Sequence, residues 1–218
     1  MLRDMFISEI TVRVFDGLRE SCSLDHLGMR YGDVPLLTAR SLVPSSTVLH
    51  VFRATLTSVV ALQHCTELEV VDVSACAQLA DLGTLGLAPC LCEVDAAGSG
   101  VLHVSELSRS CSLERFLLAQ CVLLNEVGPL GQCVDLRELR LTGTGAQQLE
   151  GLARAPSLHL LDISFCRQLA SFTALLSLPR LRYLCMGGCT AAQRQMEEVM
   201  VVVAALTSRC NVVSVLRS

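Results

Sequence analysis

Residues 158–184 read LHLLDISFCRQLASFTALLSLPRLRYL, and the same spacing of apolar residues returns along most of the chain. In this copy Leu158, Leu161 and Ile163 are followed by Cys166, Leu169, Phe172 and Leu175. Earlier copies supply Leu136, Leu139, Leu141, Thr144, Gln147 and Leu152, then Leu113, Phe116, Leu118, Cys121, Leu124, Val127 and Leu130. Further upstream come Leu91, Val94, Ala96, Ser99 and Leu102, preceded by Leu68, Val71, Val73, Cys76, Leu79, Leu82 and Leu85. Leu181, Leu184, Met186 and Cys189 form the last copy. Self-similarity at a period of 22–23 residues specifies an architecture before any residue chemistry is considered. One unit cannot bury its own apolar face, so consecutive units must stack.

The repeat weakens toward the N-terminus. Val48, Val51, Leu56, Val59 and Leu62 fit, with Arg53 standing where an apolar strand residue belongs. Two degraded units precede them, one on Leu24, Leu27, Met29 and Gly32, the other on Ile7, Ile10, Val12, Phe15 and Leu18. The expected organisation is a repeat array over 1–189, weaker over 1–67 and regular over 68–189. A cap helix and terminal strand follow over 190–218.

Each part of the unit has a physical reading. Leu161 and Ile163 alternate with Asp162 and Ser164, the period of a half-buried strand. A sharp turn follows, whose buried residue must be small and slightly polar; Cys76, Ser99, Cys121, Thr144, Cys166 and Cys189 hold that place. About ten residues remain for the return path, apolar at every third position, which suits a 3₁₀ or short helical segment. The strands then make one parallel sheet, with eight or nine strands giving a length of about 40 Å. After Cys189 the pattern becomes helical. Thr190 is placed as N-cap with Gln193, and Met196, Val199, Met200, Val203 and Leu206 share a face, a cap for the end of the array. The stretch 211–216 supplies a possible last strand.

The motif resembles the leucine-rich repeat, LxxLxLxxN/C followed by spaced apolar positions. Leu178, Pro179 and Leu181 before the strand look like the short-repeat class found in phosphatase-regulator-like proteins. The turn cysteines look like the F-box-associated class, and the lysine-free, cysteine-rich composition is similar to that of kinetoplastid leucine-rich-repeat proteins. The resemblance implies an α/β solenoid: a curved parallel sheet, an irregular convex side and a C-terminal capping helix.

Charge and composition narrow the partners. The net charge of −4 argues against general nucleic-acid binding, leaving only indirect contacts inside a ribonucleoprotein. Met1 runs straight into Arg3, Asp4 and Glu9 with no apolar export segment, and Val199 to Leu206 is too short to span a bilayer. The expectation is therefore a cytoplasmic, reducing compartment, open to organelle or cytoskeletal association. The twelve cysteines read as free thiols, small fillers of the buried turn column. Ile7 to Leu18 makes a bare apolar first unit, which predicts further N-terminal chain or a partner over that edge.

No catalytic constellation emerges. Cys90 and Cys92 form a CxC, but Cys92, Cys185 and Cys189 fall in units too far apart to share a metal ion. His26, His50, His64, His103 and His159 form no HExxH, and His26 and His50 are placed at one strand position in adjacent units. No nucleophile elbow or phosphate loop is present. Gly98-Ser99-Gly100 and Gly143-Thr144-Gly145 read as turn glycines. The chain is thus expected to be non-enzymatic, with no cofactor and no metal.

Function then falls to the strand positions between the leucines, on the concave face. The central column is read as Thr11, Gly28, Phe52, Asp72, Asp95, Leu117, Arg140, Asp162 and Cys185. Beside it run Glu9, His26, His50, Val70, Glu93, Arg115, Glu138, Leu160 and Tyr183. Asp72, Glu93 and Asp95 form an acidic patch suited to a basic partner. Leu117, Leu160 and Tyr183 beside Arg115 and Arg140 combine the residue types that dominate interfaces. With Glu138 and Asp162, these are the candidate protein-binding residues. They fit an adaptor or scaffold subunit of a larger assembly that binds protein partners. Alternative roles are a structural component of a ribonucleoprotein or axonemal complex, or a regulatory subunit (phosphatase regulator or ubiquitin-ligase substrate receptor).

Overall fold

The computed structural model describes residues 3–8, 25–32, 45–189, 196–208 and 211–213. Among these residues ten strands form one sheet in chain order: β1 (Asp4–Ser8), β2 (His26–Arg30), β3 (Val48–Phe52), β4 (Val70–Asp72), β5 (Glu93–Asp95), β6 (Arg115–Leu117), β7 (Glu138–Arg140), β8 (Leu160–Asp162), β9 (Tyr183–Cys185) and β10 (Asn211–Val213). Every neighbouring pair is parallel. β10 falls within the stretch 211–216 and brings the sheet to ten strands, one more than the eight or nine expected.

The apolar repeat explains the layering. The middle residues of the short strands, Val71, Val94, Phe116, Leu139, Leu161 and Leu184, are buried, as are Val73, Ala96, Leu118, Leu141, Ile163 and Met186 two residues on. The return path is a five-residue 3₁₀ helix in each regular unit, such as Gly83–Leu87, Gly128–Gln132 and Thr173–Ser177. A 3₁₀ helix aligns residues three apart, so Leu82, Leu85 and Ala88, or Val127, Leu130 and Cys133, all point into the same core.

The units alternate in length. Leu68 to Leu91, Leu113 to Leu136 and Leu158 to Leu181 each span 23 residues, and Leu91 to Leu113 and Leu136 to Leu158 span 22. The shorter units carry the Gly-Ser-Gly and Gly-Thr-Gly turns. Gly98 and Gly143 take φ of 68° and 70°, and a Cβ on Gly145 would stand 2.6 Å from the Val122 carbonyl oxygen of the preceding turn. Losing one turn residue advances the core register, so Val101 and Ala146 fill the slots that uniform spacing assigns to Leu102 and Gln147.

The turn cysteines are bonded as well as buried. Cys76, Cys121, Cys166 and Cys189 donate their thiols to the carbonyls of Val51, Ala96, Leu141 and Ile163 at 3.0, 3.1, 3.0 and 2.8 Å. Cys121 also meets the Ser99 hydroxyl at 3.6 Å, and Cys166 the Thr144 hydroxyl at 3.4 Å. A thiol here adds a bond to a carbonyl at or just past the strand end of the unit before it.

Register differs from expectation at the N-terminal end. β3 turns Leu49 and Val51 inward, with buried Ser46 in the first leucine slot. Arg53 is no misplaced strand residue: it sits after the strand, in the turn, with φ of 51°. Consequently His26 pairs with Val48 and His50 with Gly28, so the two histidines do not stack. The first strand is Asp4–Ser8, with Met5 and Ile7 packed against the core. Glu9, Ile10, Thr11, Val12, Phe15, Leu18 and Leu24 lie outside the described residues.

The C-terminal helix, Met196–Leu206, closes the array with Val199, Val202 and Leu206. Met200, expected on that face, points outward at 57% exposure. Thr190 and Gln193 lie outside the described residues. The Glu198 carboxylate accepts the Phe172 and Thr173 N–H groups at 2.7 and 3.1 Å and the Ser171 hydroxyl at 2.8 Å. It thereby caps the last 3₁₀ helix from across the core. These bonds, the Phe172 N–H first, hold the Glu198 pKa below its ordinary 4.5. A lowered carboxylate pKa stabilises the fold above the unfolded value, and that contribution disappears as pH falls through the folded one. Glu198→Gln is expected to cost about 1 kcal/mol at neutral pH. Urea unfolding at a series of pH values should show the two proteins converging as pH falls below 4.5 and through the folded pKa. A gap that persists in acid would contradict the capping role.

Candidate binding face

The strand residues that turn away from the 3₁₀ helices form two aligned columns. The central one runs Phe6, Gly28, His50, Asp72, Asp95, Leu117, Arg140, Asp162 and Cys185. The other runs Asp4, His26, Val48, Val70, Glu93, Arg115, Glu138, Leu160 and Tyr183. From β4 onward these columns match the sequence reading residue for residue. Phe6 and His50 occupy the places assigned to Thr11 and Phe52, and Asp4 and Val48 those assigned to Glu9 and His50.

All ten candidate residues lie on this one face, and several already have partners within the chain. The Arg115 guanidinium bridges Glu93 at 2.8 Å and Glu138 at 3.2 Å, and Arg140 meets Glu138 at 2.6 Å. This four-residue ladder joins three strands, and its solvent exposure keeps its energetic worth small. Asp72, Asp95 and Asp162 each accept a backbone N–H two residues on, from Ser74, Ala97 and Ser164, at 2.9 Å. These aspartates tie down the chain as it leaves the strand. The recurrence of Asp two residues before Ser or Ala (Asp72-Val73-Ser74, Asp95-Ala96-Ala97, Asp162-Ile163-Ser164) was the available signal for it.

Asp95 stands out electrostatically. Burial raises its pKa above the ordinary carboxylate value, against the lowering bond from Ala97, and the charges of Asp72 and Glu93 raise it further. The acidic patch is therefore a place where an incoming cation relieves existing repulsion. Further along, Leu117 on β6 is partly exposed, as is Leu160 on β8, which stands beside the 48% exposed Tyr183; Glu138 and Arg140 of the ladder lie between Leu117 and this pair.

One cluster was missed by sequence reasoning because it lies in the misregistered units. Arg30 and Arg53 place their guanidinium carbons 5.5 and 5.3 Å from the centre of the Phe52 ring, and Arg53 also lies 6.0 Å from that of Tyr31. Tyr31 and Phe52 meet edge-on with centroids 6.3 Å apart. A groove of ≈ 640 Å³ opens beside them, lined in part by Phe6, Gly28, His50 and Asp72. His50 pairs with Asp72 at 3.3 Å and His26 with Asp4 at 2.5 Å.

Among the described residues no three His, Cys, Asp or Glu side chains gather so as to hold a metal ion. Cys92 sits under the Glu69 carbonyl and Cys189 under that of Ile163, in units well separated along the array. Among the same residues no helix is long and apolar enough to cross a membrane.

A parallel strand and a 3₁₀ return in every regular unit, with a buried turn column between them, define a leucine-rich-repeat solenoid, and solved structures share it. The leucine-rich-repeat domain of APL1B is similar with a TM-score of 0.60 at 20% identity, over 84% of this chain and 59% of that one. The functional domain of InlJ from Listeria monocytogenes, which includes a cysteine ladder, gives 0.60 at 18% identity, over 85% and 46%. The plant peptide hormone receptor RGFR1, solved in complex with RGF2, gives 0.52 at 14% identity, over 84% and 37%. The chain thus spans less than two thirds of the length of each. No protein-family model matches the sequence, and no curated protein does either.

Proposed function

We propose that this protein is a non-catalytic adaptor or scaffold that binds a protein partner through the exposed face of its sheet. The observation that carries this reading is the set of outward apolar residues Leu117, Leu160 and Tyr183 around the charged pair Glu138 and Arg140. The repeat does not require apolar residues at these outward positions, yet three gather there beside Arg115 and Arg140. Aromatic and arginine side chains on a rigid surface are the types that dominate binding energy. A stacked array is already ordered, so it loses little conformational entropy on association. The setting is a cytoplasmic assembly, where free thiols stay reduced. The partner-bound receptor RGFR1 has the same fold.

The test is affinity purification with mass spectrometry, using the protein and its Leu117→Asp, Tyr183→Asp double variant as parallel baits. Capture of the partner should fall about tenfold or more with the variant, while its thermal melt is preserved. Undiminished capture by a folded variant would place the interface elsewhere.

A further inference from the structure

We propose that the N-terminal end of the same face, built from Arg30, Tyr31, Phe52 and Arg53 with Phe6 across the groove, docks a short acidic peptide segment of a partner protein, with carboxylates beside an aromatic or aliphatic residue. This rests on the sheet-face reading above and names the chemistry of one part of it.

Three observations lead there. The first is a contrast among arginines. Arg115 and Arg140 are held by Glu93 and Glu138. Arg30 and Arg53 have no carboxylate partner among the described residues and lie instead against the Phe52 ring. A guanidinium held over a ring still has N–H donors to offer, and its edge fits a carboxylate with two parallel bonds. The rings thus hold two anion receptors in place without satisfying them.

The second is exposed aromatic surface at the same spot. Phe6 is 74% exposed and Tyr31 53%, and Phe6 borders the ≈ 640 Å³ groove. Apolar rings beside unpaired cations suit a ligand that alternates carboxylate and hydrocarbon.

The third is backbone strain. Tyr31 and Arg53 take φ of 52° and 51°, at the turn place that Gly98, Gly143 and Gly188 fill in three regular units and Ala75, Gln120 and Phe165 in the others. A large side chain in this region costs about 1 kcal/mol or more relative to glycine. Here two large side chains occupy that place in consecutive units, and both belong to the cluster.

Charge order sets the length of the ligand. Asp72 pairs with His50 on the next strand, and Asp95 and Glu93 follow on β5. A long polyanion continuing along the face would meet these carboxylates, so the acidic stretch must be short. That favours a peptide over a nucleic acid.

The experiment selects a displayed random linear peptide library on the full chain, then measures one enriched peptide by fluorescence anisotropy. Enrichment of Asp or Glu next to aromatic or aliphatic residues is expected. Arg53→Gly and Arg30→Gln should each weaken the peptide about tenfold or more. Arg53→Gly also removes the left-handed strain, so its melting temperature should hold or rise, which separates lost binding from lost folding. Enriched peptides without acidic residues, tighter binding of an oligonucleotide than of the peptide, or indifference to both substitutions would each overturn the proposal. Peptides that lose binding with Leu117→Asp and keep it with both arginine variants overturn this inference and leave the sheet-face reading standing. Peptides indifferent to all three substitutions count against both.

Discussion

Phe116→Ala is expected to lower the unfolding free energy by about 3–5 kcal/mol, whereas Phe165→Gly should stay within about 1 kcal/mol of the parent. Both changes delete the same ring. Phe116 is the inward residue of β6, 0% exposed in the middle of the array. Its removal loses the transfer free energy of a full aromatic side chain and leaves a cavity that stacked units on both sides cannot close. Phe165 is 52% exposed in a turn with φ of 58°, and its ring lies over Gly188 of the next unit. Glycine there gives up that contact but removes the left-handed penalty. Urea titrations of the two variants beside the parent measure the difference directly. The Phe116 variant carries a further signature. In a one-dimensional array a weakened central unit uncouples the units on either side, so its transition should broaden and its denaturant slope fall. A Phe165 variant as damaging as the Phe116 variant would mean that the exposed rings of the turn column hold the array together.

From Leu68 onward the fold was legible because the inward pair of the strand and the small buried turn residue recurred in every unit, with an apolar return behind them in the 23-residue units. In the N-terminal units only the hydrophobic pattern remained, and that pattern cannot fix register alone. Taking Val48, Val51 and Arg53 for the strand motif places the unit two residues away from Ser46, Leu49 and Val51. A two-residue shift keeps every side chain on its own face of the sheet, so no hydrophobic conflict exposes it. Ser46 in a leucine slot hid the true start. The consequence was functional: Arg53 was read as a defect in a strand, and its cluster with Phe52 and Tyr31 went unseen. Turn chemistry explains the smaller differences. The glycine pairs around Ser99 and Thr144 shorten their units by one residue, which moves Val101 and Ala146 into the core in place of Leu102 and Gln147. The ten face residues were legible in position, but their mutual bonds were not, because strand spacing gives neighbours and not side-chain partners.

Among the described residues, alkylation should separate the exposed cysteines from the buried ones by a factor of about a thousand or more. Cys90 and Cys111 are exposed, Cys92 and Cys185 are half-buried, and Cys65, Cys76, Cys121, Cys133, Cys166 and Cys189 are buried. Burial is the main force raising the pKa of these buried thiols, to about 11 for Cys133 and about 12 for Cys189. At pH 8 a thiol with pKa about 12 is ionised in roughly one molecule in ten thousand, and the reagent must also reach it through an opening of the array. Pulsed iodoacetamide labelling with peptide mapping should therefore mark Cys90 and Cys111 first and the buried thiols only with unfolding. Comparable labelling rates would show that the turn column is open. The same shifts fix the sign of the alkaline response. A thiol with a raised folded pKa keeps its proton longer in the folded state, so stability is full below the unfolded value near 9 and declines as pH climbs toward 12. In the buried column the proton belongs to the carbonyl of the preceding unit, as in Cys189 on Ile163 and Cys166 on Leu141. Ionisation removes that donor, and each carbonyl keeps only its backbone bond, Ile163 from the Cys166 N–H and Leu141 from the Thr144 N–H, so the array is weakened when these cysteines cease to be thiols.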